Sequence, residues 1–173
     1  MPTDAPAAAI LSSLKRAGID IVVSLPDQWL GDLIKRCGED PEITHVALAR
    51  EDDGVGICAG AFLGGRKAAL ICQNAGVLLC VNALGGIAFH HQIPLLVLAS
   101  HRGCFDDSYY YQMYKGRITE PVLKAMGLPY YVIDGPEQFP LIEQGARQSF
   151  LSRLPLILLL RRNALVAPTR AAA

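Results

Sequence analysis

Glu51 is the residue of this chain that is best placed for proton chemistry. It follows the apolar run Val46-Ala47-Leu48 and precedes the small-residue segment DDGVGICAGAFLGG. A carboxylate there would lie at the carboxyl end of a parallel strand, the edge at which open α/β sheets bind ligands. A buried acid at that edge is a candidate for chemistry on a bound ligand. Acidic side chains are also common in the first turn of a helix, so a capping role stays open at this point.

The segment that follows Glu51 predicts a helix that something else approaches closely. Gly54, Gly56, Gly60 and Gly64 recur within it. Each glycine weakens a helix interior by up to about 1 kcal/mol relative to alanine. A helix this rich in glycine is expected where another backbone or a cofactor ring must come close, which favours a site beside Glu51.

Polar side chains also close two other predicted strands. Pro26 and Asp27 follow the first apolar run, and Gln73, Asn74 and Gly76 follow the third. Asp27 is either a helix cap or a catalytic acid, and Asn74 is either a cap or part of a site. Because the carboxyl ends of parallel strands meet at one edge of the sheet, we expect these groups to face one crevice.

The segment after the fourth predicted strand offers a third group of candidates. His101 stands directly after the strand, and its functional and structural interpretations are equally open. Arg102 is a candidate partner for a substrate anion, although exposed cations are usually solvated. The stretch HRGCFDDSYYYQMYKGRIT, which includes Tyr109 and Gln112, lacks clean periodicity and is long enough to predict a functional loop.

Six short apolar runs, separated by longer helical patterns, would position these residues. The predicted strands are 21–23, 46–48, 68–72, 94–99, 129–133 and 155–160, and the predicted helices are 6–17, 27–37, 52–63, 77–92, 120–126 and 137–151. Continuous apolar character without alternation is typical of a parallel sheet covered on both faces. We therefore predict an α/β, doubly wound fold with about six parallel strands and helices on both faces.

Composition limits the classes of function. Among 173 residues, 16 are Lys or Arg and 16 are Asp or Glu, so the formal net charge is zero. Without a global field, neither nucleic acid nor an anionic membrane is expected as a partner. The chain is 51% hydrophobic and 18% charged, and this balance predicts surface buried against another chain, as in a dimer or higher oligomer.

Cysteine usage and the N-terminus bound the compartment and the domain organisation. The five cysteines are an odd number without CxxC spacing, which predicts a reducing compartment and no metal site. No signal-peptide pattern and no run of roughly 18 apolar residues is present, so a cytoplasmic protein is expected. The length predicts a single domain over 1–173, with a core of about 5–162 and a short tail at 163–173.

Several segments together resemble a known family. They are REDDGVGICAGAFLGG, QNAG, VNALGG, IPLLVLASHRG and KAMGLPYYV, and they resemble the pyrimidine-binding domain of thiamine-diphosphate enzymes, in particular sulfopyruvate decarboxylase α subunits and the N-terminal domain of phosphonopyruvate decarboxylases. The similarity runs from about Asp20 to Arg161 and is strongest over Arg50 to Gly103. This resemblance implies the thiamine-diphosphate-binding fold and a carboxy-lyase that acts on a 2-oxo acid.

The resemblance also implies roles for the residues at the strand ends. Glu51 would hydrogen-bond N1′ of the cofactor aminopyrimidine and so promote removal of the thiazolium C2 proton. Asp27 and His101 would act on the substrate side as further catalytic residues. The other implied site residues are Pro26, Gln73, Asn74 and Gly76 at the cofactor, and Arg102, Tyr109 and Gln112 as candidates on the substrate side.

The resemblance further implies that this chain supplies half of a site. In the family, another domain holds the diphosphate and its Mg²⁺ through a Gly-Asp-Gly and Asn motif, which is absent from this sequence. We therefore expect a separate β-type, diphosphate-binding subunit, Mg²⁺ held mainly by that subunit, and no metal ligand in this chain. Two alternatives stay open, namely a carboligase subunit of the acetolactate-synthase type and a noncatalytic interaction subunit. An unrelated nucleotide-binding domain is disfavoured because no glycine fingerprint follows the first strand.

Overall fold

A six-stranded parallel sheet forms the centre of the fold. The computed structural model describes residues 5–105 and 107–166. Its strands are β1 (Ile21–Ser24), β2 (Thr44–Ala47), β3 (Ala68–Gln73), β4 (Leu95–Ser100), β5 (Tyr130–Ile133) and β6 (Pro155–Leu160). Their order is β2-β1-β3-β4-β6-β5, and every neighbouring pair is parallel. The predicted fold class is confirmed, and each predicted strand lies within two residues of an observed one.

Helical connections cover both faces of this sheet. The helices are α1 (Ala5–Arg16), α2 (Gly31–Glu39), α3 (Glu51–Leu63), α4 (Asn74–Leu79), α5 (Val81–Ala83), α6 (Tyr110–Ala125), α7 (Pro140–Ser152) and α8 (Arg162–Leu165), with a π-helical segment at Leu84–Phe89 and a 3₁₀ turn at Pro136–Gln138. Parallel strands require crossovers of this length, because consecutive strands must run in the same direction.

Two apolar layers hold the helices against the sheet. Successive strand residues point to opposite faces, so Val22 and Ile71 pack under α1, α2 and α7, whereas Val23 and Leu70 pack under α3 and α6. Both faces are buried, which explains why the strands have continuous apolar runs without alternation. Ala164 in α8 is fully buried in the first layer, so packed structure continues past residue 162; residues 167–173 of the predicted tail lie outside the described residues.

The prediction of a functional loop over residues 101–119 is wrong from residue 110 onward. Helix α6 begins at Tyr110 and runs through Ala125. Its inward positions are Gln112, Gly116, Thr119 and Leu123, which have helical spacing although only the last is a large apolar residue. Its outward side carries exposed tyrosines. The apolar period that marks most helices is therefore weak here.

Gly103 and Gly116 allow α6 to cross the turn after β4 in backbone contact. Gly103 has a φ of +77°, the left-handed region that favours glycine. A Cβ built on Gly116 would overlap the main chain of Gly103 and would lie 2.7 Å from the Arg102 carbonyl oxygen. The position of α6 against the sheet therefore depends on the absence of a side chain at Gly116.

Gly116→Ala is expected to lower the free energy of unfolding by about 1 to 3 kcal/mol, because a methyl group cannot fit against rigid backbone. Chemical denaturation of the purified chain measures this change. The matched control is Gly56→Ala in α3, where a Cβ meets nothing within 4 Å. That control should raise the free energy of unfolding by about 0.5 to 1 kcal/mol. Equal effects of the two substitutions would contradict the close contact.

Candidate active site

The topology places a crevice at the carboxyl ends of β1 and β3. The chain leaves β1 toward β2 on one side and then crosses back to β3 on the other, so the direction of winding reverses between these neighbours. Open α/β sheets bind ligands at this reversal point. Asp27 follows β1 and Gln73 is the last residue of β3, and the Gln73 Nε2 atom donates a hydrogen bond to Asp27 Oδ2 at 2.9 Å. The two predicted strand-end groups are therefore in direct contact.

Glu51 is the first residue of α3, and its side chain lies against Gly76. A Cβ on Gly76 would be 2.6 Å from Glu51 Oε1 and 2.8 Å from its Cδ, so any larger residue at that position would displace the carboxylate. Among the described residues, no hydrogen bond or ion pair engages the Glu51 carboxylate. The neighbouring cation, Arg50, is committed to Asp52, with Nε and Nη2 each 3.0 Å from a carboxylate oxygen.

The charge of Glu51 acts on two buried thiols, Cys72 and Cys80. Burial raises the pKa of the Cys80 thiol to about 12, and the charge of Glu51 acts in the same direction. Burial likewise raises the pKa of Cys72, with smaller contributions from other acidic groups that include Glu51 and Asp27. Both thiols stay protonated near neutral pH. These two thiols therefore carry no charge, and the Glu51 carboxylate is free to meet a ligand.

Asp27 is buried and fully engaged. Its side chain is 2% exposed. Its Oδ1 atom accepts a hydrogen bond from the Trp29 main-chain N–H at 2.9 Å, and its Oδ2 atom accepts from Gln73 and from Arg102 Nη1, the latter at 3.1 Å. This turn explains why α2 begins at Gly31, four residues after the predicted start.

Arg102 is the cation at the centre of this cluster. Its Nε and Nη2 atoms donate to the two oxygens of Asp107 at 2.7 and 3.0 Å, and its guanidinium lies 4.1 Å from the centre of the Trp29 ring. Burial opposes the charge of Arg102, but the hydrogen bonds and charge of Asp107 outweigh it and raise the pKa of the guanidinium. Burial also opposes the charge of Asp107, yet hydrogen bonds from Arg102 and two main-chain N–H groups keep its pKa below the usual value.

Asn74 is used inside the protein. It is fully buried, and its Nδ2 atom donates to the Arg102 carbonyl oxygen at 3.1 Å and to Thr119 Oγ1 at 3.0 Å. Its Oδ1 atom accepts from the Arg102 main-chain N–H at 3.3 Å. The Asn74 side chain therefore joins the turn after β3 to the turn after β4 and to α6. Its proposed contact with a cofactor would have to come through its main chain or through groups that it positions.

The remaining predicted residues differ in their access to solvent. His101 is 2% exposed, and neither of its ring nitrogens has a hydrogen-bond partner among the described residues. Burial lowers the pKa of His101, outweighing the opposite influence of Glu120. Gln112 is buried, and its Oε1 atom has no hydrogen-bond partner among the described residues. Pro26 is exposed and Tyr109 is half-exposed. The centre of the Tyr109 ring lies 5.5 Å from the Arg102 guanidinium carbon.

The structure thus brings together two groups of predicted residues and adds members that the sequence did not indicate. Glu51 meets Gly76, and Asp27, Gln73 and Arg102 form one cluster. The members that sequence reasoning missed are Trp29, Asp107 and Thr119. Asp107 lies five residues after Arg102 in an irregular turn, a spacing without a recognisable pattern. The catalytic roles of the predicted residues stay predictions.

Two kinds of feature are absent from the described part of the chain. Across residues 5–105 and 107–166, no three or more His, Cys, Asp or Glu side chains are grouped so that they could hold a metal ion. Over the same residues, no helix has both the length and the apolar character needed to cross a membrane.

The fold and the site together define a cofactor-binding α/β domain with a free carboxylate beside the reversal point of its sheet. Residues 6–117 match the family model described as "Thiamine pyrophosphate enzyme, N-terminal TPP binding domain". The chain belongs to this thiamine pyrophosphate enzyme family, and thiamine pyrophosphate is the same compound as thiamine diphosphate. The predicted resemblance is confirmed.

Individual relatives agree with this assignment. The chain is 33% identical to the sulfopyruvate decarboxylase subunit alpha of Methanococcus maripaludis, over 88% of this chain and 92% of that one. It is 34% identical to the sulfopyruvate decarboxylase of Methanosarcina acetivorans, over 89% of this chain but only 39% of that one. Among solved structures, the 2-oxoglutarate:ferredoxin oxidoreductase of Magnetococcus marinus shares the fold, with a TM-score of 0.73, 15% identity, and coverage of 96% of this chain and 30% of that one.

Proposed function

We propose that this chain is the pyrimidine-binding, α-type subunit of a thiamine-diphosphate-dependent 2-oxo-acid decarboxylase. The observation that carries the proposal is the Glu51 carboxylate, which stands free at a ligand-binding edge of the sheet. The relatives named sulfopyruvate decarboxylase support a 2-oxo acid of the sulfopyruvate or phosphonopyruvate type as the substrate. The enzyme is then a carboxy-lyase whose site is completed by a second subunit.

The residues at the crevice fit the cofactor. Gly76 makes room for the Glu51 side chain, and among the described residues the Glu51 carboxylate has no hydrogen-bond or ion-pair partner, which leaves it available to a ring nitrogen of the cofactor. Thiamine diphosphate, when bound, supplies the electron sink that the loss of carbon dioxide requires. In this proposal, Glu51 holds and returns a proton at the aminopyrimidine. The bordering residues are Pro26, Gln73, Asn74 and Gly76.

The substrate side of the proposed site lies around the turn after β4. Tyr109 has an exposed ring beside Arg102, and Gln112 has a buried oxygen without a partner. We retain Asp27 and His101 as proposed catalytic residues on this side. Because the Asp27 carboxylate already accepts three hydrogen bonds, proton delivery from it requires that at least one donor moves.

The outward face of α3, the helix that begins at Glu51, supports a docked partner. A Cβ on Gly56 or Gly60 would meet nothing within 4 Å, and the same holds for Gly85 and Gly86 on the neighbouring segment. A groove of about 610 Å³ runs along Gly56 and Gly60, and its walls include Ile87 and the exposed side chain of Leu63. Small residues at helical spacing permit close approach of a second backbone. We propose that the β-type, diphosphate-binding subunit occupies this face.

The names and lengths of the relatives support a second subunit, since the Methanococcus maripaludis protein is named subunit alpha. The match to the Methanosarcina acetivorans enzyme leaves most of that longer chain without a counterpart in these 173 residues. We propose that the partner subunit holds the diphosphate and Mg²⁺, and that the complex also self-associates. A cytoplasmic location belongs to the same proposal, since Cys37, Cys58, Cys72 and Cys80 are buried free thiols, as expected in a reducing compartment.

Reconstitution tests the proposed function. The purified chain is expected to release no carbon dioxide from sulfopyruvate above background, and turnover should appear when a subunit with the Gly-Asp-Gly and Asn motif is added with thiamine diphosphate and Mg²⁺. Full turnover by the lone chain would contradict a divided site. A complex that binds no thiamine diphosphate would favour the noncatalytic alternative, and release of a product in which the decarboxylated fragment is joined to a second carbonyl compound would favour the carboligase.

A further inference from the structure

Three strand ends converge on one arginine at the rim of the crevice. Arg102 follows β4, and its guanidinium reaches Asp27 after β1. Its main-chain N–H and carbonyl groups are both bound by the Asn74 side chain after β3. The carboxyl ends of β1, β3 and β4 are therefore joined through a single residue.

Arg102 is buried, and its guanidinium contacts protein groups on several sides. Its side chain is 3% exposed, and the side chains of Asp27 and Asp107 are 2% and 1% exposed. Three of its five N–H groups donate to these two carboxylates, and the Trp29 ring covers one face. Charge-assisted, bidentate contacts of this kind restrict both position and orientation. The cluster of Arg102, Asp27 and Asp107 has one cation and two carboxylates, so its formal net charge is −1. That charge would repel an anionic substrate rather than attract it.

We infer that Arg102 is a positioning residue, which clamps the rim of the crevice by holding Asp27 and Asp107, and that the substrate anion is bound elsewhere. This inference rests on the proposed function only for its effect on turnover. Asp107 separates the two possible roles of Arg102, because among the described residues its carboxylate forms hydrogen bonds only with Arg102 and with the main-chain N–H groups of Gly103 and Tyr109.

Kinetics of the assembled enzyme test the catalytic part. Arg102→Gln and Asp107→Asn are each expected to lower kcat by about 10²-fold, because a small displacement of the rim misaligns the reacting groups. KM for the 2-oxo acid should change by less than about threefold. The kcat of the double variant should be no lower than that of the less active single variant, as expected for residues that act as a unit. Arg102→Lys keeps the cation but not the fork, and should recover about tenfold of the lost kcat.

A different kinetic pattern would overturn the inference. If Asp107→Asn has wild-type kcat while Arg102→Gln raises KM by more than about tenfold, Arg102 binds the substrate directly. The matched control is Arg66→Gln, since Arg66 ties Asp20 and Thr44 together at the opposite edge of the sheet. Its kcat and KM are expected to stay within about twofold of the wild-type values.

Tryptophan fluorescence of the full chain tests the clamp without any activity. Trp29 is the only tryptophan, and its ring lies on the Arg102 guanidinium. Arg102→Gln and Asp107→Asn should shift its emission and increase its quenching by acrylamide, whereas Arg66→Gln should change neither. Unchanged emission in both rim variants would overturn the clamp. An inactive wild-type complex with responsive Trp29 emission would instead contradict only the proposed function.

Discussion

Glu51→Gln is expected to lower kcat of the assembled enzyme by about 10³-fold, the range in which a positioned acid or base contributes to a reaction. Glutamine has nearly the same shape but cannot take up and return a proton. The fold should tolerate the change, because the Glu51 carboxylate makes no hydrogen bond or ion pair with the described residues. Loss of a favourable charge at the start of α3 should lower the free energy of unfolding by no more than about 1 kcal/mol.

Single-turnover and steady-state assays of carbon dioxide release, together with thermal unfolding, measure these effects. The matched control is Asp53→Asn, which removes an exposed carboxylate from the same first turn of α3. It should leave kcat within about twofold of the wild-type value, since it changes only the exposed charge near the helix end. Near-normal turnover of Glu51→Gln would refute the proton-transfer role. Equal losses in both variants would instead assign the effect to the charge of the helix terminus.

Gly60→Leu is expected to weaken binding of the diphosphate-binding subunit by about 10²-fold or more, corresponding to a loss of about 3 kcal/mol. A leucine side chain would project from the outward face of α3 and fill space that a second backbone needs. The isolated chain should keep its stability, because a Cβ at this position meets nothing within 4 Å and leucine favours a helix more than glycine does. Turnover of the complex should fall in proportion to the occupied fraction.

Sedimentation velocity or calorimetric titration with the reconstituted partner measures this affinity. Ala9→Leu provides the control, since Ala9 is an exposed residue of α1, and α1 packs on the opposite face of the sheet from α3. It adds a comparable apolar volume and should leave the dissociation constant within about twofold. Unchanged affinity of Gly60→Leu would place the partner on another surface, and equal losses in both variants would point to nonspecific association.

Much of the fold follows from local patterns. The six apolar runs predict the observed strands because burial on both faces demands continuous apolar character. The crevice beside Glu51 follows from the general position of ligand sites in parallel sheets. The contact between Glu51 and Gly76 agrees with the prediction that the groups at the strand ends face one crevice. The predicted helix 120–126 covers only the last turns of α6; its earlier part, residues 110–119, was missed because Gln112, Gly116 and Thr119 supply its inward face without an apolar signal.

The partners of the polar residues depend on the tertiary structure. In the sequence, Asp27 is a turn residue and Arg102 is an isolated cation. In the structure they form an ion pair, although 75 positions separate them in the chain. That pairing requires β1 and β4 to flank β3, and it requires the turn through Asp107 to bring the guanidinium back over the sheet edge. The amino-acid pattern alone therefore establishes a parallel α/β domain with Glu51 at its ligand edge. Hydrogen-bond partners are settled only when strand order and turn geometry bring distant residues within about 3 Å of one another, and periodicity carries no information on either.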